Sequence, residues 1–181
     1  RTEGSGSLQF KAANSTYTID TLARMMITES DNSATNMIMA RLGSMTDINQ
    51  GLREWGLKHT YVQTWLPDLG GTNHSTARDM ATILYNIDNP QFLSTSSREK
   101  IFDYMGHVHN NRLIAAGLPA GAEFLHKTGD IGKMLGDAGI VFAPNGKKYI
   151  VVIFANRPHN SPLGKEFIVK ASETIYNYMV R

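Results

Sequence analysis

The feature that most constrains this chain is a change of hydrophobic period near Pro119. Before it, apolar residues recur at three- and four-residue spacing, the repeat that gives a helix one apolar face. After it, they fall into short runs rich in Val, Ile, Phe and Tyr, which suit a pleated sheet. A mostly helical region over residues 1–118, followed by a sheet portion over 119–181, makes this an α/β (α+β) chain.

Within the first region, residues 1–16 are polar and rich in Gly and Ser and read as loop. Thr18 offers an N-cap to a helix over 19–28, where Ile19, Leu22, Met25 and Met26 carry the period. A break at Ser30-Asp31-Asn32 precedes a second helix over 34–42, ended by Gly43. Helices over 46–55, 76–87 and 95–105 follow, with a loop over 63–73 that holds Pro67, Gly70 and Gly71. In the second region, 123–127, 138–143 and 149–156 read as strands. The last two are joined by Pro144-Asn145-Gly146-Lys147, and Asn-Gly is a strong hairpin signal. A helix over 164–179 closes the chain, with Phe167, Ile168, Ala171, Ile175 and Tyr178 placed on one face. Three strands and one helix make an incomplete layer that would accept further strands.

Composition excludes several classes. With 41% hydrophobic and 19% charged residues, the 181-residue chain has the make-up of an ordinary globular domain. A net charge of +2 without any Lys/Arg run argues against a nucleic-acid partner. No apolar stretch approaches the ~20 residues of a membrane-spanning helix. The absence of cysteine removes a disulfide framework, a thiol nucleophile and Cys-based zinc sites. Residues 1–9 show neither an export signal nor an initiator Met, and the reading is of a chain preceded by further sequence.

Two tripeptides carry the chemistry. Ser30-Asp31-Asn32 lies at a helix-to-helix junction, where a serine hydroxyl and an asparagine amide can point into a cleft. Acyl transfer from an amide needs a proton delivered to the leaving nitrogen, and a placed hydroxyl relays it. The amide can hold a substrate carbonyl through its NH₂ and a lysine through its oxygen. The plain alternative is an N-cap, since Ser, Asp and Asn are the favoured caps of a following helix. Lys127-Thr128-Gly129 ends the first strand, with a fixed positive charge and a hydroxyl suited to a carboxylate. Gly129 leaves room for close approach of a ligand backbone, and the plain alternative is a strand end with an exposed lysine. Both motifs, in this order and context, read as one site.

The chain resembles the class A β-lactamase and penicillin-binding serine hydrolase family. The phrases that carry the likeness run from Tyr17-Thr18-Ile19 through Ser30-Asp31-Asn32-Ser33-Ala34-Thr35-Asn36. They continue with Leu118-Pro119-Ala120-Gly121, His126-Lys127-Thr128-Gly129-Asp130 and Asp137-Ala138-Gly139-Ile140-Val141. The resemblance implies an all-helical lobe beside an α/β lobe whose antiparallel sheet takes strands from both chain ends. It implies that Ser30 shuttles a proton to the leaving group, Asn32 orients substrate and Lys127 polarises Ser30. It further implies that Thr128 binds the carboxylate and that the Asp130 backbone N–H forms half of an oxyanion hole.

The chain departs from the family pattern twice. The family's S-x-x-K nucleophile motif belongs several dozen residues before Ser30, and the one match, Ser97-Arg98-Glu99-Lys100, falls after it on a surface helix. The nucleophile, with the first strands and its helix, is therefore expected in an N-terminal segment of the same protein. Second, the deacylating Glu of class A β-lactamases falls on Leu66 in Thr64-Trp65-Leu66-Pro67-Asp68-Leu69-Gly70. Leucine cannot take a proton from water, and Asp68 is expected to face elsewhere. The pattern is similar to that of penicillin-binding D,D-peptidases of the A type.

The function these implications describe is a serine D,D-peptidase acting on peptidoglycan stem peptides ending in D-Ala-D-Ala, with β-lactams as slowly released covalent inhibitors. It needs no metal or cofactor, and its substrate places it in the periplasm or another extracytoplasmic space. The alternatives are a class A β-lactamase with an atypical base, or a non-catalytic wall-peptide binder. His107 and His109 are spaced wrongly for metal ligands on one face, and the Met25, Met26, Met37, Met39 run reads as core. His126 reads as structural, and Asp137 either pairs with Lys133 or supports the sheet.

Overall fold

The structure is a computed structural model and describes residues 2–181. The chain divides into two compact units, residues 1–79 and 80–181. The change of period at Pro119 marks where strands begin; the boundary between packed units falls earlier, inside a helix.

The first unit holds α1 (Ile19–Thr28), α2 (Asn32–Leu42), α3 (Met45–Glu54) and the start of α4 (Ala77–Asp88). Thr18 caps α1 by accepting from the Thr21 N–H at 3.1 Å. Ser44 and Asp47 close α3 with a reciprocal capping box. Leu22 and Met25 of α1 pack with Leu8 and Ala34 as the buried centre, covered by Tyr17, Met26 and Ile38. Ile19, counted in the apolar period, is 54% exposed. The expected loop over residues 1–16 contains one short 3-10 turn, Leu8–Phe10, which brings Leu8 into that core.

The second unit holds the rest of α4, α5 (Thr95–Gly106), a 3-10 turn at Ile114–Gly117, three strands and α6 (Leu163–Met179). The strands β1 (Glu123–Ile131), β2 (Met134–Phe142) and β3 (Lys148–Asn156) form an antiparallel sheet in the order β1-β2-β3. Asn145-Gly146 turns β2 into β3 as expected, with Gly146 at φ 84°. β1 and β2 are longer than their apolar runs, because a tight turn at Gly132-Lys133 pairs Ile131 with Met134 and zips the strands through their polar ends. Lys127-Thr128-Gly129 therefore lies inside a strand, not at its end.

One sheet face packs on α6 and the 3-10 turn through Leu135, Val141, Val151, Ile153, Ile168, Leu113 and Ile114. Of the helix face read from sequence, Ile168, Ala171 and Ile175 pack there, whereas Phe167 and Tyr178 are exposed. At about 100° per residue, both lie roughly a quarter-turn from Ile168 around the axis. Gly117 allows the 3-10 turn to lie against α6, since a Cβ there would sit 2.4 Å from the Val169 carbonyl oxygen. The Ser172 hydroxyl then donates to the Ile114 carbonyl at 2.8 Å and fixes the turn.

Candidate active site

The Ser30-Asp31-Asn32 turn divides its labour. Ser30 takes a left-handed conformation, φ 56°, which costs a non-glycine residue on the order of 1 kcal/mol and persists only where neighbours impose it. The constraint comes from Asp31, fully buried at 0% exposure. One carboxylate oxygen caps α2 by accepting from the Ala34 N–H at 2.9 Å, and the other accepts from the Leu8 N–H at 2.8 Å. Gly6, at φ 97°, lets the preceding segment lie directly on this carboxylate, since a Cβ would come within 2.2 Å of it. The middle residue is thus the cap, and the residues on either side are carried by it. Asn32 opens α2, and its side-chain NH₂ donates to the Glu3 carbonyl at 2.9 Å.

One turn further along α2, Asn36 grips the loop that holds Leu66. The Leu66 N–H donates to Asn36 Oδ1 at 2.9 Å, and Asn36 Nδ2 donates to the Leu66 carbonyl at 2.8 Å. The loop is closed by paired main-chain bonds between Tyr61 and His74 and by Asn73 Oδ1, which accepts from the Gln63 and Thr64 N–H groups. Asp68 turns inward, accepting from the Thr72 N–H and hydroxyl and, at 2.6 Å, from the Asn73 N–H. Burial pushes its carboxyl up, but these bonds outweigh it and hold the group below the usual carboxylate range. Asn36 is not among the residues the sequence motifs single out; its one signal is an amide on α2 one turn after Asn32.

In the second unit, β1 is an edge of the described sheet, so alternate backbone groups on its outer side are not paired with β2. Lys127 stands opposite Ala138 and Thr128 opposite Asp137. Lys127 is half-buried, and its ammonium donates to the Thr128 carbonyl at 2.6 Å. Burial lowers its pKa to about 8, against an opposing pull from the Asp137 carboxylate. Thr128 is buried, while Gly129 and Asp130 are exposed. A Cβ built on Gly129 meets nothing within 4 Å, so the space beside it is open. The Asp130 carboxylate pairs with Arg157, whose Nε donates to the Gly132 carbonyl at 3.2 Å and whose N–H donates to the Lys133 carbonyl at 2.8 Å. Arg157 thus ties the tip of the β1–β2 hairpin to the end of β3; a single Arg after a strand gave no sequence signal for this.

Behind Lys127, His126 is 1% exposed, stacks on Phe124 and meets Asp137 at 2.9 Å and Asn111 at 3.0 Å. Asp137 takes His126 as its partner, where the sequence suggested Lys133 or plain sheet support. Ser97 lies exposed in the first turn of α5, its N–H used by the Ser94 cap, so Ser97-Arg98-Glu99-Lys100 is a helix start and nothing more. His107 pairs with Asp103 in solvent, and among the described residues no group of three His, Cys, Asp or Glu side chains is placed to hold a metal ion.

A helical unit with a polar inter-helix turn and an antiparallel unit with a lysine-bearing edge strand are the parts of a β-lactamase/transpeptidase-like fold. A solved structure of PBP-A is 44% identical, with a TM-score of 0.95, over 97% of this chain and 66% of that one. A Leu-to-Glu mutant of PBP-A, solved as an acyl-enzyme complex with penicillin G, is 43% identical, with the same TM-score, over 97% of this chain and 67% of that one. A β-lactamase from Sphaerobacter thermophilus shares the fold at a TM-score of 0.87 and 22% identity, over 99% of this chain and 70% of that one. Among curated proteins, Beta-lactamase 3 of Bacillus cereus is 30% identical over 81% of this chain and 49% of its own length. Beta-lactamase of Bacillus licheniformis is 28% identical over 81% of this chain and 50% of its own length. The chain spans about half the length of these curated relatives. The family described as "Beta-lactamase enzyme family" matches residues 1–179, and the chain belongs to it.

Proposed function

We propose that this chain is part of a penicillin-binding serine D,D-peptidase that cleaves D-Ala-D-Ala ends of peptidoglycan stem peptides and is acylated by β-lactams. The observation that carries the reading is the Leu66 loop. Its main chain is clamped by Asn36, and its one carboxylate, Asp68, is committed to Thr72 and Asn73, so the loop offers no base to activate a deacylating water. An ester formed with a β-lactam then persists, because expelling it needs a water stripped of its proton. Greater identity to PBP-A than to the curated β-lactamases supports the same reading, as does a PBP-A in which a leucine was exchanged for glutamate.

In this mechanism a serine from sequence preceding residue 1 attacks the carbonyl between the two D-alanines, and its proton passes to the lysine of its own motif. The carbonyl oxygen becomes an oxyanion held in part by the Asp130 N–H. As the C–N bond breaks, Ser30 delivers a proton to the departing D-alanine amine and is reprotonated from the lysine side. Lys127 and Thr128 hold the D-alanine carboxylate, Asn32 orients the substrate amide, and the stem peptide lies along the outer edge of β1 as an added strand. Water or an amine acceptor then releases the peptide. The work takes place outside the cytoplasm, where that substrate is found.

The test is release of free D-alanine from a D-Ala-D-Ala stem peptide by the full-length gene product, with and without penicillin. D-Ala release blocked stoichiometrically by penicillin supports the proposal. Penicillin turnover without D-Ala release favours the second reading, a β-lactamase with another base, which the 28–30% curated relatives support. Inertness toward both means a wall-peptide binder.

A further inference from the structure

Beside the Leu66 loop, the first unit holds a cavity of about 550 Å³ that the proposed mechanism leaves unused. Its walls include Tyr17 and the loop before it, Met37 and Ala40 of α2, and Trp65. Each wall is fastened from behind. Ser33 Oγ accepts from the Thr2 N–H at 3.0 Å, while Asn36 Nδ2 donates to Thr2 Oγ1 at 3.0 Å and to the Leu66 carbonyl at 2.8 Å. Trp65 is therefore carried by a loop whose next residue is clamped to α2. On the other loop, Asn14 takes the left-handed conformation, φ 63°, that asparagine tolerates. The Ser15 hydroxyl there donates to the Ala12 carbonyl at 2.9 Å and closes the turn. The cavity is thus preformed, and its volume falls in the ~300–1,000 Å³ range of small-molecule sites.

The lining is amphipathic. Two aromatic rings contribute to it, Trp65 at 44% exposure and the half-buried Tyr17. Among the described residues, the Lys11 ammonium, the Asn14 amide and the Trp65 indole N–H have no hydrogen-bond or ion-pair partner. Lys11 is the one charged residue of the lining, and no carboxylate joins it. The cavity therefore offers donors beside ring faces, which suits a ligand with several acceptors and one apolar face. A wholly apolar ligand would strip water from those donors and return nothing. A peptide strand has no edge to pair with there, because no strand of the sheet borders the cavity. An N-acetylated pyranose meets both demands. Its C–H groups make an apolar face that the negative face of an aromatic ring attracts, and its hydroxyls and acetamido carbonyl accept hydrogen bonds. We propose that this cavity is a glycan subsite, in which Trp65 bears the ring of an acetamido sugar and Lys11 and Asn14 donate to its oxygens. The sugar's place in the reaction rests on the function proposed above, where it belongs to the glycan strand that carries the stem peptide; the cavity's donor-and-ring chemistry does not.

The test is calorimetric titration of the full-length protein with the peptide-free disaccharide of N-acetylglucosamine and N-acetylmuramic acid. Cellobiose, which lacks acetamido groups, is the comparison. Saturable binding of the first is expected, at least about tenfold tighter than that of cellobiose. Trp65→Ala removes the aromatic anchor and should weaken binding at least about tenfold. Ala40 is exposed on α2, so Ala40→Trp fills the cavity from the helix side without touching the loop and should weaken binding as much. Should Trp65→Ala not fold, as read by circular dichroism, Ala40→Trp decides alone. Absence of saturable binding, equal affinity for cellobiose, or wild-type affinity in either folded variant overturns the inference. The readout stands apart from catalysis. D-Alanine release without glycan binding refutes the subsite and keeps the peptidase, whereas glycan binding without D-alanine release keeps the subsite and refutes the peptidase.

Discussion

Replacing Asp31 separates the fold's claim on the Ser30-Asp31-Asn32 turn from the chemistry's. Asp31 is fully buried and accepts two backbone N–H bonds, from Ala34 at 2.9 Å and Leu8 at 2.8 Å. Hydrogen bonds to a charged group contribute about 1.5–3 kcal/mol each, and the lost helix cap is included in the first of them. Asp31→Ala leaves both donors without their acceptor and is expected to cost about 3–5 kcal/mol, a large share of the roughly 5–15 kcal/mol that holds a domain folded. Asp31→Asn keeps one carbonyl oxygen, brings an NH₂ against a donor, and is expected to cost about 2–3 kcal/mol. Urea denaturation of the purified protein, followed by circular dichroism, reads both values as midpoint shifts at constant slope. A loss below about 1 kcal/mol for Asp31→Ala would mean that the turn is held by something other than this carboxylate. Ser30 would then owe its left-handed conformation to contacts other than those of Asp31.

Three further outcomes follow from the same geometry. Leu66→Glu places a carboxylate where the loop has none, and the penicillin adduct should shorten its lifetime at least about tenfold, read by the return of unmodified protein mass; an unchanged lifetime would mean that the side chain at 66 does not reach the ester. Acylation should lose its rate as pH rises through about 8, because Lys127 sheds its proton there; the same shift disfavours folding below about 8 and fades as pH climbs toward 10.5, so a rate still rising above 9 would contradict the role given to Lys127. Gly117→Ala drives a Cβ to within 2.4 Å of the Val169 carbonyl and should cost about 1–3 kcal/mol of stability, and a neutral effect in thermal unfolding would show that the 3-10 turn moves freely on α6.

The elements were legible where one face is apolar and a cap or turn residue marks the end. Thr18 before α1, Gly43 after α2 and Asn145-Gly146 between β2 and β3 all stand where their chemistry predicts. What escaped was pairing that side-chain pattern does not encode. The polar ends of β1 and β2 are strands because each pairs with the other through Gly132-Lys133, and neither Lys127–Ile131 nor Met134–Asp137 has strand-like alternation of its own. On α6, the period was right but its phase was set one step off, since an exposed Phe167 and Tyr178 look as apolar in sequence as the buried Ile168. The candidate site was legible as two tripeptides. The residues that hold them, Asn36, Asn111, Asp137 and Arg157, act on main chain or across long sequence separations, and a single polar residue carries no signal of its distant partner.

The proposed peptidase forms a penicillin ester that it cannot discharge. The most direct measurement is the intact mass of the full-length gene product, followed over time after mixing with penicillin G. One drug per protein is expected, with a mass that persists after free drug is removed and a labelled peptide lying before residue 1. Hydrolysed drug beside unmodified protein would contradict it, and so would intact drug beside unmodified protein.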